Sequence, residues 1–203
     1  MKTLAVDLSS ARGGLALLDA DRIEFFREWP NDRKNSRPFF EHLAEVQKKF
    51  GKPHTIIVGR GPGSYAGTRI AISAAIGLSF GGRPSIRLLG YPSICAIECE
   101  TTEYFVIGDA RRQTFFFAGI RDNNLTQGPT LMSEAELRGK LDKLDPEMSI
   151  FTTEKLRQFD RAELRYPSAK LLATLTTDLK RKFEEPPLEP IYLREPHITI
   201  PKK

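Results

Sequence analysis

Three patterns in this sequence could carry chemistry: the stretch GRGPGSYAG at Gly59–Gly67, the cysteines Cys95 and Cys99, and the histidines His42, His54 and His197. A glycine loop that opens a helix suits phosphate, because free backbone amides and the helix N-terminus both favour an anion. A P-loop reads G-x-x-x-x-G-K-[ST], with its lysine on the β- and γ-phosphates. Here Gly67 is followed by Thr68 and Arg69, and no lysine lies in the loop, which excludes that motif. Gly61-Pro62-Gly63-Ser64-Tyr65-Ala66 does fit the dinucleotide fingerprint G-x-G-x-x-[GA]. The acidic residue required about 20 residues on is missing from that match, and Pro62 removes a backbone donor. A nucleophile elbow needs G-x-S-x-G, whereas Ser64 is flanked by Pro62 and Ala66 at those positions. The histidines form no H-x-x-x-H or H-E-x-x-H pair, and the cysteines have no second pair to complete a metal site. No catalytic residue and no metal ligand is assigned.

The elements that must position these residues follow from punctuation and period. Short apolar runs at 3–8, 14–18 and 23–29, joined by tight turns, predict an antiparallel meander. Ser36 is a candidate helix cap and Pro38 suits a first turn. Phe39, Leu43, Val46 and Phe50 then recur at helical spacing until Gly51. A strand at 55–58 leads through the glycine loop into a helix running to Phe80, where Gly81, Gly82 and Pro84 stop it. A strand at 86–89 and a helix from Tyr91–Pro92 to Cys99 complete the first half.

The second half begins again with strands at 104–109, 114–120 and near 129–131. Ser133 and Glu136 form a capping box before a helix to Leu144. Short strands at 148–152 and 164–166 precede a last helix from Pro167–Ser168 to Phe183, followed by a proline-punctuated, extended tail. Both halves show a meander followed by alternating helices and strands, a repetition of architecture rather than of sequence. Two α/β lobes, 1–100 and 101–203, are expected.

The whole chain has 203 residues, a net charge of +5, and 28% charged residues scattered along its length. Nucleic-acid binding favours clustered basic residues. The short runs here, such as Arg111–Arg112 and Lys48–Lys49, read as solvated surface. There is no apolar run of the roughly 18 residues a membrane span needs, and Asp7 interrupts the one apolar stretch near Met1. Two cysteines without a disulfide framework fit a reducing compartment, so a cytoplasmic location is expected.

Arg69 is the only charge between Tyr65 and Phe80, although a surface helix normally keeps a polar stripe. Small residues four apart, such as Gly67, Ala71 and Ala75, allow another helix to approach closely. Either this helix is wrapped within its own chain, or one face packs on the home sheet and the other meets a second protein. Phe39, Leu43 and Val46 would widen such a patch.

The residues now carry a resemblance. VDLSS at Val6–Ser10 resembles the first phosphate-loop strand of the actin, hexokinase and Hsp70-like fold. GRGPGSYAGTRIAIS resembles the signature of the TsaB (YeaZ-like) family of bacterial tRNA threonylcarbamoyladenosine biosynthesis. GYPSI at Gly90–Ile94, DARRQTFF at Asp109–Phe116 and PIYLRE at Pro190–Glu195 agree in order and spacing. Tyr65, Ala66, Ala71 and Ser10 depart conservatively from residues common in the family.

The resemblance implies a two-lobed actin/hexokinase/Hsp70-like fold and an accessory, noncatalytic role without independent protease activity. It implies partnership with a TsaD-like catalytic subunit and a TsaE-like ATPase. It further implies tRNA reached through that complex, self-association of isolated chains into homodimers, and no membrane partner. This chain would require no cofactor, with ATP and Mg²⁺ bound by the complex. Carried onto this sequence, Asp7, Ser9, Ser10, Gly61, Gly63 and Ser64 match a vestigial nucleotide site, Asp7 being the candidate to position magnesium. Phe39, Leu43, Val46, Tyr65, Thr68, Arg69, Ile72, Ala75 and Ile76 fall on segments that would meet the partner. The alternative is a self-sufficient ATP-dependent phosphotransferase of the same fold, using Asp7 for metal and the glycine loop for phosphate.

Overall fold

Two five-stranded sheets with the same strand permutation form the frame of this chain. A computed structural model describes residues 1–32, 35–80 and 85–194. The first sheet contains β1 (Lys2–Asp7), β2 (Arg12–Asp19), β3 (Arg22–Pro30), β4 (Thr55–Gly59) and β5 (Arg87–Tyr91) in the order β3-β2-β1-β4-β5. β1 runs antiparallel to β2 and parallel to β4, with Val6 opposite Leu15 on one side and Val58 on the other. The second sheet contains β6 (Glu103–Asp109), β7 (Thr114–Arg121), β8 (Asn124–Ser133), β9 (Ile150–Thr152) and β10 (Glu163–Leu164), in the order β10-β9-β6-β7-β8. Here β6 takes the place of β1: antiparallel to β7, parallel to β9. The duplicated meander-then-parallel topology is the two-lobed actin/hexokinase/Hsp70-like architecture.

Helices α1 (Arg37–Phe50) and α2 (Tyr65–Ser79) cover one face of the first sheet, burying Leu4, Val6, Leu15, Leu17, Ile56 and Val58. The other face, with Ala5, Ala16, Leu18, Ile57 and Leu89, meets α4 (Ala169–Leu175) and the inner face of the second sheet. Both faces are buried, which is why these strands read as continuous apolar runs rather than alternating ones. α3 (Glu134–Leu141) covers the outer face of the second sheet over Ile107, Phe115 and Phe117. Its start is the expected capping box: Ser133 Oγ accepts from the Glu136 amide, and Glu136 accepts from the Ser133 amide.

Four local expectations are corrected. Ser36 stands at the N-cap of α1 without a side-chain cap bond, while Asn35 Oδ1 accepts from the Arg37 amide instead. The helix expected through Cys99 is only a 3₁₀ turn at Ser93–Cys95. Beyond it, Ala96 accepts from the Ser168 amide and Ile97 bridges Pro167, which draws the chain out of helix. Helix α4 ends at Leu175 rather than Phe183, because the Thr176 and Thr177 hydroxyls turn back onto the carbonyls of Ala173 and Thr174. The strand near 129–131 extends over all of β8. The stop signals Gly81, Gly82 and Pro84, the residue Glu195, His197 and the rest of the expected tail lie outside the described residues. Among the described residues, no helix is long and apolar enough to cross a membrane.

Candidate functional site

The glycine loop leaves β4 and docks on the turn that follows β1. Gly63, at φ +158°, lies so close to that turn that a Cβ would stand 2.1 Å from the Ser9 carbonyl oxygen. Gly61, at φ +86°, takes the left-handed conformation that only glycine adopts without strain. Three donors of this loop are engaged within the chain. The Ser64 amide donates to Ser9 O at 2.6 Å, the Gly61 amide to Ser93 Oγ at 2.9 Å, and the Gly67 amide to Ser64 Oγ at 3.3 Å. Ser64 is therefore the N-cap of α2, as its position in sequence suggested.

Asp7 ends β1 and is 1% exposed. Its Oδ1 accepts from the Ser9 amide at 2.8 Å and the Ser9 hydroxyl at 2.7 Å. Its Oδ2 lacks a hydrogen-bond partner and lies over Gly59, sharing with the Ser93 hydroxyl the space a Gly59 side chain would fill. Burial pushes its carboxyl above the ordinary range, while the hydroxyls of Ser93 and Ser9 and the Ser9 amide draw it back. Asp7 and Gly61 sit behind the interlobe cleft, whereas Ser9, Ser10, Gly63 and Ser64 line it. Asp7 thus faces the interior, and three of the loop amides, those of Gly61, Ser64 and Gly67, are bonded within the chain.

The cleft itself, about 540 Å³, lies between the loop and α2 on one side and the β6–β7 turn on the other. Asp109 and Arg111 form an ion pair at 2.8 Å on its second wall, and Glu154 accepts from the Asp109 amide at 3.0 Å. The turn at Arg111, Arg112 and Gln113 runs through three consecutive left-handed residues, a conformation that ordinary side chains rarely adopt. The segment 188–194 crosses the cleft mouth. Leu188 is buried in the first lobe, Ile191 donates its amide to Arg60 O at 2.8 Å, and Arg194 donates to Thr114 Oγ1 at 2.5 Å. Composition and spacing gave no signal for Arg60, Ser93, Tyr192 or Arg194; only their inclusion in the resembling stretches did. The described histidines lie elsewhere, His42 against the Trp29 ring and His54 accepting from the Lys2 amide.

No family model matches the chain. An uncharacterized protein of Mycobacterium leprae is 30% identical over 96 residues, and the match covers 47% of this chain and 26% of that protein. The match thus spans about a quarter of that relative's length. An uncharacterized protein of Mycobacterium tuberculosis is 26% identical over 155 residues, covering 76% of this chain and 70% of that one. Among solved structures, a Pseudomonas aeruginosa protein described as having similarity to peptidase YEAZ superposes with a TM-score of 0.73 at 18% identity. The superposition covers 95% of this chain and 99% of that one. YeaZ from Pseudomonas aeruginosa superposes at 0.66 and 20% identity, with the same coverage. The chain is YeaZ-like in its fold.

Within this YeaZ-like fold the nine residues assigned to partner contact divide sharply. Phe39, Leu43 and Val46 of α1 and Thr68, Ile72 and Ala75 of α2 are all at most 5% exposed: Thr68 lies against the glycine loop, its hydroxyl donating to Ser64 O at 3.0 Å, and the other five face the first sheet. Tyr65 and Arg69 are exposed and Ile76 is half-buried. The face of α2 turned to solvent runs instead through Tyr65, Ala66, Arg69, Ser73 and Gly77 to Phe80, with Ile70, Ala74 and Ile76 along its sides. Arg69 is its one charge. The amphipathic period of α1 and the small-residue pattern of α2 were thus chiefly core signals.

Proposed function

We propose that this chain is a noncatalytic, TsaB-like subunit of the complex that forms N6-threonylcarbamoyladenosine at position 37 of ANN-decoding tRNAs. It acts in the cytoplasm by binding and activating a TsaD-like catalytic subunit together with a TsaE-like ATPase, and reaches tRNA through them. One observation carries this reading. An end-to-end YeaZ-like fold holds a glycine loop bonded to its own backbone, and that loop anchors a helix with an exposed, nearly uncharged face. Isolated chains would cover the same face by pairing as homodimers.

The test is co-expression with the same organism's TsaD-like subunit, read by size-exclusion chromatography with light scattering. A stable heterodimer is expected. Ser73→Glu, on the exposed face, should weaken it at least about tenfold, or about 1.4 kcal/mol. Ile72→Glu is the wrong probe, since Ile72 is buried and the carboxylate would unfold the first lobe. A chain that ignores the catalytic subunit would overturn the proposal, and magnesium-ATP titration of the isolated chain would then test the phosphotransferase reading.

A further inference from the structure

The segment across the cleft is unevenly held. Its base is firm: Glu184 pairs with Gly90 through bonds of 2.8 and 3.0 Å, and Leu188 is 7% exposed in the core beneath α1 and α2. Its far stretch is held by single contacts, with Leu193 against the core and Arg194 on Thr114 at 2.5 Å. Ile191 bonds to Arg60 O, Arg60 Nε donates to Glu189 O at 2.7 Å, and the Tyr192 ring rests on Tyr65 at 5.5 Å between centroids. Tyr65 in turn accepts a bond of 2.8 Å from Arg69. Both tyrosines remain close to half exposed, at 49% and 42%. One of these supports, Tyr65 with Arg69 behind it, is also what the first turn of α2 offers to a docking protein.

We propose that residues 188–194 form a displaceable gate over the interlobe cleft, released when a protein seats on the first turn of α2. This rests on the docking face inferred above. A partner that takes up Tyr65 and Arg69 leaves Tyr192 without its support. With that support gone the segment opens more often, breaking the Ile191–Arg60 and Arg194–Thr114 bonds as it swings about its base at Leu188, and the part of the cleft by Ser9, Ser10, Ser64 and Thr68 becomes open to solvent. Docking on one face of α2 is in this way coupled to access at its N-terminus, and no change in the sheets is required.

Hydrogen exchange of the full-length chain, followed by mass spectrometry, tests the gate, with peptides over 104–109 as the internal check on folding. Tyr65→Ala should speed exchange across 188–194 by about fivefold, the scale of one lost ring contact. Tyr65→Phe, which keeps the ring, should exchange close to the parent chain. Unchanged exchange in Tyr65→Ala overturns the gate. Adding the TsaD-like subunit to the parent chain should also speed exchange in 188–194. If it binds and that exchange stays the same or slows, the gate is wrong while the functional reading stands. If it does not bind, the functional reading falls and the trigger with it, while Tyr65→Ala still decides whether α2 holds the segment.

Discussion

Asp7, the acid that the resemblance placed over magnesium, is engaged instead in holding the turn after β1 through Ser9. Because burial raises its pKa, the folded chain holds this proton more tightly than the unfolded chain does. The folded state therefore binds more protons between the ordinary value of 3.8 and the raised one. Stability falls as pH rises through that window, and the cost of the buried charge is fully present above it. Asp7→Asn keeps an acceptor for Ser9 and turns an amide toward the Ser93 hydroxyl. It should raise the melting temperature at pH 7 by about 2–4 °C, the gain vanishing near pH 4. Calorimetry at both values decides it, and equal melting temperatures at pH 7 would show that Asp7 carries no such cost. The thiols separate on the same principle. Burial pushes the Cys95 thiol up to about 12, whereas Cys99 is half-buried. A disulfide reagent at pH 8 should label Cys99 alone in the native chain and both in urea. Rapid native labelling of Cys95 would contradict its burial.

Helix α2 tests the element scale through two of its glycines. A methyl at Gly67 would stand 2.0 Å from the Leu8 carbonyl oxygen, pushing the helix off the turn after β1. A methyl at Gly77 meets nothing within 4 Å. Gly67→Ala should therefore destabilise the chain by about 1–3 kcal/mol, the cost of overpacking. Gly77→Ala should stabilise it by about 0.5–1 kcal/mol, through helix propensity alone. Urea unfolding measures both, and the same sign for the two would refute this placement of α2. The sequence showed where α2 and α3 begin, because Ser64 and Ser133 cap through bonds within three residues of themselves. It did not show that the chain leaves helix after Cys95, because a distant bond, Ser168 to Ala96, decides that point, and the apolar period of α4 hid the local hydroxyl bonds of Thr176 and Thr177 that end it. The sequence did not show which positions of α1 and α2 are buried within the chain, for a related reason. An apolar stripe has the same period whether it meets the home sheet or another protein, and only the sheet's position tells them apart.

At the scale of the whole molecule, the duplicated topology was legible because each half repeats a meander followed by helix and strand. The contacts that fix one half against the other were not, since they join residues far apart in sequence. Arg181 carries the densest of these. Its side chain is 8% exposed. From one guanidinium it donates to Tyr91 Oη at 2.8 Å at the end of β5, and to Asn123 O, Asn124 Oδ1 and Asp122 O at 3.0–3.1 Å in the β7–β8 turn. One planar fork thus bolts the first sheet to a hairpin of the second, with Asp178 beside it at 3.5 Å balancing the charge. Arg181→Ala removes four half-buried or exposed hydrogen bonds, though Tyr91 Oη still reaches Asn123 O and Asn124 Oδ1, and should cost about 1–3 kcal/mol. Arg181→Lys should recover part of this, because one nitrogen, Nη1, already reaches Tyr91 Oη, Asn123 O and Asn124 Oδ1, while the Nη2 bond to Asp122 O would be lost. Arg181→Ala should also loosen the β7–β8 turn before the sheets unfold. Amides near 122–124 would then exchange faster while those of β1 keep their protection. Uniform loss of protection across both sheets would mean that Arg181 supports a single cooperative unit rather than a junction between two.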